Sequence, residues 1–277
     1  MSWAVVARKD FNDARRSRSL WALSATFLAL ALLFAGLYAF VPEFTADEEA
    51  STLGLMTFLA APVALFVAVA ALVIAYKSIA GEVESGSGKL LLSLPHTRRD
   101  VVLGKIVGRS LVLSIPVLVG LVAMLAVVLV GDVSFSATDY VLFTLVTMLF
   151  VLVYIAFFVG ISAGTTSTAR AATLSVLALV VLEFAWDIVP MGAWFVANGF
   201  QVPPGLFSGA AMPNWVALLA NLPPSSAYMN AVAGVLTGSM SASGPWYLSR
   251  WFSLVVLAVW GIIPIVLGYL RYNHADL

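Results

Sequence analysis

The sequence predicts an all-α, polytopic membrane protein with six transmembrane helices, and three observations carry that prediction. Of its 277 residues 62% are hydrophobic and only 10% charged, with a mean hydropathy of +1.02, against about 25% charged in a soluble domain. Six stretches are long and apolar enough to cross a hydrocarbon layer as helix, which takes roughly 20 residues. The basic residues fall almost wholly on one side of those stretches. With no cysteine, structural disulfides and thiolate nucleophiles or metal ligands are excluded.

Taken in order, residues 2–18 come first. Trp3, Ala7, Phe11 and Ala14 recur at three- and four-residue spacing among Arg8, Lys9, Asp13, Arg15 and Arg16. That pattern predicts a short amphipathic helix along the membrane surface, with Trp3 and Phe11 among the headgroups. The first span is 20–41. It exceeds the roughly 7–15 apolar residues of a signal peptide, and acids follow it, so it is read as retained. The second span is 53–76, the third 106–130, the fourth 140–161, the fifth 171–191 and the sixth 251–269. Residues 192–250 are rich in Pro, Gly, Asn and Trp; their apolar pieces "NWVALLANL" and "AYMNAVAGVL" are too short to span and fit re-entrant or interfacial helices. A single membrane domain, 1–277, accounts for the whole.

Orientation follows from charge. Arg8, Lys9, Arg15, Arg16 and Arg18 precede the first span; Lys77, Lys89, Arg98, Arg99, Lys105 and Arg109 lie between or at the ends of the second and third. Arg170 and Arg271 bring one side to thirteen of the fourteen basic residues, leaving Arg250 opposite with Glu43, Asp47, Glu48, Glu49, Asp132 and Asp139. Excess basic charge marks the cytoplasmic side, so both termini and the loop 77–105 are expected there.

That loop contains "GEVESGSGKLLLSLPHTRRDVVLGK", with a Gly-Ser-Gly-Lys. A phosphate-binding loop needs Gly-x-x-x-x-Gly-Lys-[Ser/Thr] after a strand. Val83 and Leu90 stand where the first glycine and the hydroxyl would be, so this is no nucleotide site. Two short helices are expected instead. "KLLLSL" runs until Pro95, which disfavours helical geometry at Leu94. Thr97 to Asp100 then reads as a capping box that starts a helix continuing into the third span. Leu90, Leu91, Leu92 and Leu94 must be buried, either along the membrane surface or in a partner's groove. The mixed charges around them, Glu82, Glu84, Lys89, Arg98 and Arg99, favour the groove.

These residues carry a family resemblance. "GEVESGSGKLLLSLPHTRRDVVLGKIVGR" is similar to the segment between the second and third spans of type-2 permeases of ATP-binding-cassette transporters, where a Glu-x-Glu-Ser-Gly start leads to a Leu-rich turn with Pro and "LGK". The opening "ARKDFNDARRSRSLWAL" resembles that family's N-terminal surface helix, and Gly-Ser-Gly-Lys stands where relatives often have Gly-Thr-Leu. The span count, internal termini and long external loop extend the resemblance over nearly the whole chain. Within the family it is most similar to permeases serving nitrous-oxide-reductase maturation and their prokaryotic relatives.

The resemblance implies that 82–95 is a coupling helix seated in a cleft of a separate ATPase, and that 165–170, "TTSTAR", is a second, shorter contact. Glu82, Glu84, Ser85, Gly86, Lys89, Leu91, Leu92, Ser93, Pro95, Arg98, Arg99, Thr166 and Arg170 are the implied coupling residues. It also implies that ATP and magnesium sit on the partner ATPase, with no cofactor on this chain. Two permeases, as a homodimer, and two ATPases would form the working unit in the bilayer.

Two further motifs need weighing. "GISAG", 160–164, matches the Gly-x-Ser-x-Gly of hydrolases and intramembrane proteases. A nucleophilic serine needs a base in reach, and the only histidines, His96 and His274, lie outside every span; close helix packing by small residues is the simpler account. Glu183 and Asp187, four apart on the fifth span, are costly intramembrane carboxylates. Glu183 is read either as a cation, proton or substrate contact or as a structural hydrogen-bonding group, and Asp187 as its companion or an interfacial residue. No metal cluster and no nucleic-acid-binding pattern is present.

The expected function is therefore a permease subunit coupling ATP hydrolysis elsewhere to substrate movement, as export. The alternative is an ATPase-driven scaffold acting on an extracytoplasmic accessory protein through 192–250 without net transport. A membrane enzyme is disfavoured, because no span carries a supported nucleophile or ligand set.

Overall fold

A computed structural model of the chain describes residues 3–15, 17–44, 50–86, 97–131, 133–202, 212–236 and 246–274. Helices dominate them: α1 (Trp3–Arg15), α2 (Arg18–Phe40), α3 (Thr52–Ala75), α4 (Ala80–Glu84), α5 (Arg98–Val130), α6 (Ala137–Ala163), α7 (Thr168–Val180), α8 (Ile188–Ala197), α9 (Asn214–Ala220), α10 (Pro224–Leu236) and α11 (Arg250–His274). Six helices among the described residues are long and apolar enough to cross a membrane: α2, α3 with its extension through α4, α5, α6, α7 with the turn after it, and α11. Each overlaps one of the six stretches read from the sequence.

Local signals set several boundaries. Ser51 and Ser136 cap α3 and α6, each side-chain oxygen accepting from the amide three residues on. The capping box at the start of α5 forms as expected: Thr97 Oγ1 accepts from the Asp100 amide at 3.2 Å, and Asp100 Oδ2 accepts from the Thr97 amide at 3.1 Å. Two orphan donors are thereby satisfied, and the helix runs on for 33 residues into the third span.

The fifth span departs from expectation. Instead of one helix over 171–191, α7 widens into a π-turn at Val181–Ala185, and α8 starts separately at Ile188. Pro190 gives the physical reason. Lacking an N–H, it cannot continue the ladder to the Trp186 carbonyl, and the Val189 amide takes that carbonyl instead at 2.9 Å.

The strongest pairings join α6 to α11, α2 to α5, α1 to α5 and α3 to α6, with α10 wedged against α3, α6 and α11. The α6–α11 crossing is backbone on backbone, since a Cβ on Gly268 would overlap the Gly160 carbonyl. The small residues of "GISAG" therefore do serve close packing. At the crossing of α10 with α6, Tyr228 stacks on Phe150 with centroids 4.3 Å apart, and its hydroxyl lies 2.9 Å from Thr147 Oγ1. Trp260 and Trp186 donate their indole N–H to the carbonyls of Leu222 and Leu219, fastening the α9–α10 turn to α11 and to the end of the fifth span. The two short apolar pieces of 192–250 are thus helices, and α10 is buried in the bundle.

The helix α1 differs from the expected surface helix in what it buries. Val6, Ala7 and Asp10 are covered by α5, Phe11 is half-buried and Trp3 remains 43% exposed. Two glycines of α5 admit it: a Cβ on Gly104 would lie 2.6 Å from Val6 Cβ, and one on Gly108 would lie 2.9 Å from Asp10 Cβ.

Candidate docking surface and membrane cavity

The turn after α3, the start of α5, the end of α6, the start of α7 and the end of α11 meet at the basic end of the bundle. The short helix α4 is built into this end by neighbours rather than by its own sequence. Ile79, before its first residue, offers no side-chain cap. Ser162 supplies one from α6: its buried Oγ accepts from the amides of Ile79 and Ala80, both at 3.1 Å. The serine of "GISAG" is therefore a helix cap supplied from another element, which is a structural use for the hydroxyl a hydrolase would need free.

The far end of α4 returns the favour. No side chain of its own caps α7 at Ser167; instead Glu84 Oε2 accepts from the Thr168 amide at 2.9 Å and from the Thr168 hydroxyl. A carboxylate at a helix N-terminus meets both the orphan amides and the positive end of the dipole. The segments 79–84 and 162–170 are thus capped reciprocally, so the described start of the first singled-out stretch, 82–86, lies against the second, 165–170. Gly86 ends α4 with φ +73°, a conformation that favours glycine.

Other singled-out residues have identifiable roles. Glu82 accepts from Lys105 at 2.5 Å. Arg98 donates to the Tyr272 carbonyl and lies over the Tyr272 ring; Arg99 donates to the Tyr269 hydroxyl at 3.1 Å. Both arginines thereby tie the start of α5 to the end of α11. Ser85, Thr166 and Arg170 are exposed on this surface. Lys89, Leu91, Leu92, Ser93 and Pro95 fall outside the described residues, as does His96. Sequence reading missed Ser162 and Thr168 as the joints, and also Asp10, Lys105 and Arg109. The one available signal was charge inside otherwise apolar helical faces.

The second feature lies deeper. Glu183 sits on the π-turn, where its Oε1 accepts from Ser225 Oγ at 2.5 Å and from the Tyr154 hydroxyl. It therefore joins α7, α6 and the start of α10. Glu183 and Asp187 both line a cavity of about 240 Å³, with Ser225, Ser226, Trp186 and Met229 among its walls. The two carboxylates are brought to one space, although the π-turn and the break at Ile188 replace the regular i, i+4 geometry. A separate, mostly apolar groove of about 630 Å³ runs between α6, α7 and α11 and includes Arg271 in its lining. Among the described residues no group of three or more His, Cys, Asp or Glu could hold a metal ion.

Known proteins share this plan. The family described as "ABC-2 family transporter protein" matches residues 4–277. The chain is 30% identical over 248 residues to a "Probable ABC transporter permease protein NosY" of Stutzerimonas stutzeri, covering 86% of this chain and 84% of that one. It is 36% identical over 121 residues to the protein of the same description from Pseudomonas aeruginosa, 42% of each. With a family match over nearly its full length and six membrane-crossing helices, the chain belongs to the ABC-2 transporter family, as the permease subunit of an ABC transporter.

Proposed function

We propose that this permease couples ATP hydrolysis by a separate ABC ATPase subunit, which holds the ATP and magnesium, to export of a substrate across the cytoplasmic membrane of a prokaryote. The observation carrying this reading is the reciprocal capping of 79–84 and 162–170. It makes one braced surface at the end of the bundle where basic charge accumulates. That charge supports a cytoplasmic position for this end and for both termini, which is where an ATPase would meet it. Leu90, Leu91, Leu92 and Leu94 then supply the apolar side of the contact, and a second permease copy completes the working unit as a homodimer. The cavity shared by Glu183 and Asp187 supports a polar contact on the substrate path.

Co-purification tests the reading. The variant carrying Leu91→Asp and Leu92→Asp should stay inserted in the membrane yet lose its ATPase in mild detergent. Retention of the ATPase would put the docking surface elsewhere.

A second reading has its own supporting observation. Because α10 is wedged between α3, α6 and α11, movement of those spans would reach residues 192–250 directly. In that reading the subunit drives an extracytoplasmic accessory protein without net transport. Capture of such a protein by the wild-type complex, lost on deleting 237–245, would favour it.

A further inference from the structure

Four charged side chains meet where α1 crosses α5. Asp10, buried on α1, accepts from Lys105 Nζ at 2.8 Å through Oδ1 and from Arg109 Nε at 2.7 Å through Oδ2. Lys105 also donates to Glu82 on α4 at 2.5 Å, and Arg109 Nη1 donates to the Ile74 carbonyl at the end of α3 at 3.1 Å. Among the described residues two cations face two carboxylates, and such pairing is the condition for tolerating buried charge. Both cations stand on α5, one turn apart. Each reaches Asp10 with one contact and the α3–α4 region with another.

This arrangement separates two jobs. Without Asp10, Lys105 would keep Glu82 and Arg109 would keep the Ile74 carbonyl, so α4 would remain seated on α5. α1 would lose this buried ionic attachment, leaving the fit of Val6 over Gly104 and Ala7 over Gly108 and the hydrogen bond of the Trp3 backbone to Asp100. Asp10 is therefore the buried charge that fastens α1 to the body carrying the docking segment. A surface helix held by lipid alone would need no buried carboxylate, and burying one costs free energy unless its partners are in place.

We propose that Asp10 is a positioning residue of the coupling machinery. Through Lys105 and Arg109 it makes α1 move as one body with α4 and α5, so that motion of the docking surface reaches α2 as well as α5. This rests on the ATPase-coupled reading above for its purpose, but the attachment itself is testable without an ATPase.

The natural absence of cysteine allows a clean spin-label pair at Arg8→Cys on α1 and Leu103→Cys on α5, both exposed. Electron–electron double resonance is then recorded in nanodiscs on the permease alone and on its ATPase complex, nucleotide-free and trapped with ATP and vanadate. With labelled permease diluted into cysteine-free permease, so that each assembly holds one labelled copy, the expected result is one narrow distance that persists through every state. Adding Asp10→Asn should broaden it and lower permease-stimulated ATP hydrolysis about fivefold or more, with the ATPase still bound. Glu82→Gln, which leaves both Asp10 contacts in place, should keep the distance narrow. If Asp10→Asn fails to insert, Gly104→Ala lifts α1 by contact with Val6 and should give the same broadening.

A distance that changes between nucleotide states in the unsubstituted pair would overturn the proposal, because α1 would not be riding with α5. So would an unbroadened distance, or undiminished hydrolysis, in the Asp10→Asn protein. Failure of the unsubstituted permease to bind any ATPase would instead overturn the coupled reading, while the permease-alone distances still decide whether Asp10 holds α1.

Discussion

Glu84 and Thr168 lie 84 positions apart, yet the carboxylate of one caps the helix that begins at the other. This contact joins the loop after the second span to the loop after the fourth. Glu84→Ala should expose the Thr168 amide, which has no intrahelical partner, while Glu84→Gln should keep a weaker bond. Amide hydrogen exchange at the start of α7 should rise in the order wild type, Glu84→Gln, Glu84→Ala. Equal protection in all three would show that the cap does not hold the two segments together.

Ser162→Ala tests the other half of the brace. The buried amides of Ile79 and Ala80 lose their shared acceptor, a cost of about 1–3 kcal/mol. Thermal unfolding in detergent should fall accordingly, and α4 should become the least protected helix. A hydroxyl-directed fluorophosphonate should leave wild-type Ser162 unlabelled. Stoichiometric labelling would revive the hydrolase reading.

The α6–α11 crossing predicts a large effect from one methyl group. Gly268→Ala places a Cβ against the Gly160 carbonyl, where backbone must shift, at about 1–3 kcal/mol. Gly192→Ala, with nothing within 4 Å of its Cβ, should be neutral and serves as the control. Matching melting temperatures for the two variants would contradict the close crossing.

Glu183→Gln should leave assembly intact, because an amide oxygen can still accept from Tyr154 and Ser225. Transport, or substrate-stimulated ATP hydrolysis, should fall if the carboxylate charge contacts what moves through the cavity. Unchanged activity in both assays would reduce Glu183 to a structural tie among α6, α7 and α10.

The spans were legible because hydrocarbon thickness imposes a length and a composition on each helix, and the start of α5 because Thr97 and Asp100 form a box within four residues. The joints were not. Ser162 caps a helix 82 positions away, and Asp10 finds Lys105 across 95; no local pattern announces either pairing. The sequence raised Ser162 through a hydrolase motif, where fold proximity gave it a capping role. It placed Trp3 and Phe11 among the headgroups, but the steric gap at Gly104 and Gly108 decides which side of that helix is buried. The break before Ile188 was encoded in Pro190, whose effect on the ladder was outweighed in the reading by the apolar run around it.

The seating of α10 bears on biogenesis. Its groove is built from helices made both before and after it: α3 and α6 precede it, and α11, with the Trp260 indole that holds Leu222, follows. A nascent chain that has reached residue 236 therefore has no finished seat for Tyr228 and Ala231. The bundle closes only when the last span enters the bilayer, so truncation within 250–274 should strand α10 and mark the polypeptide for quality-control proteolysis.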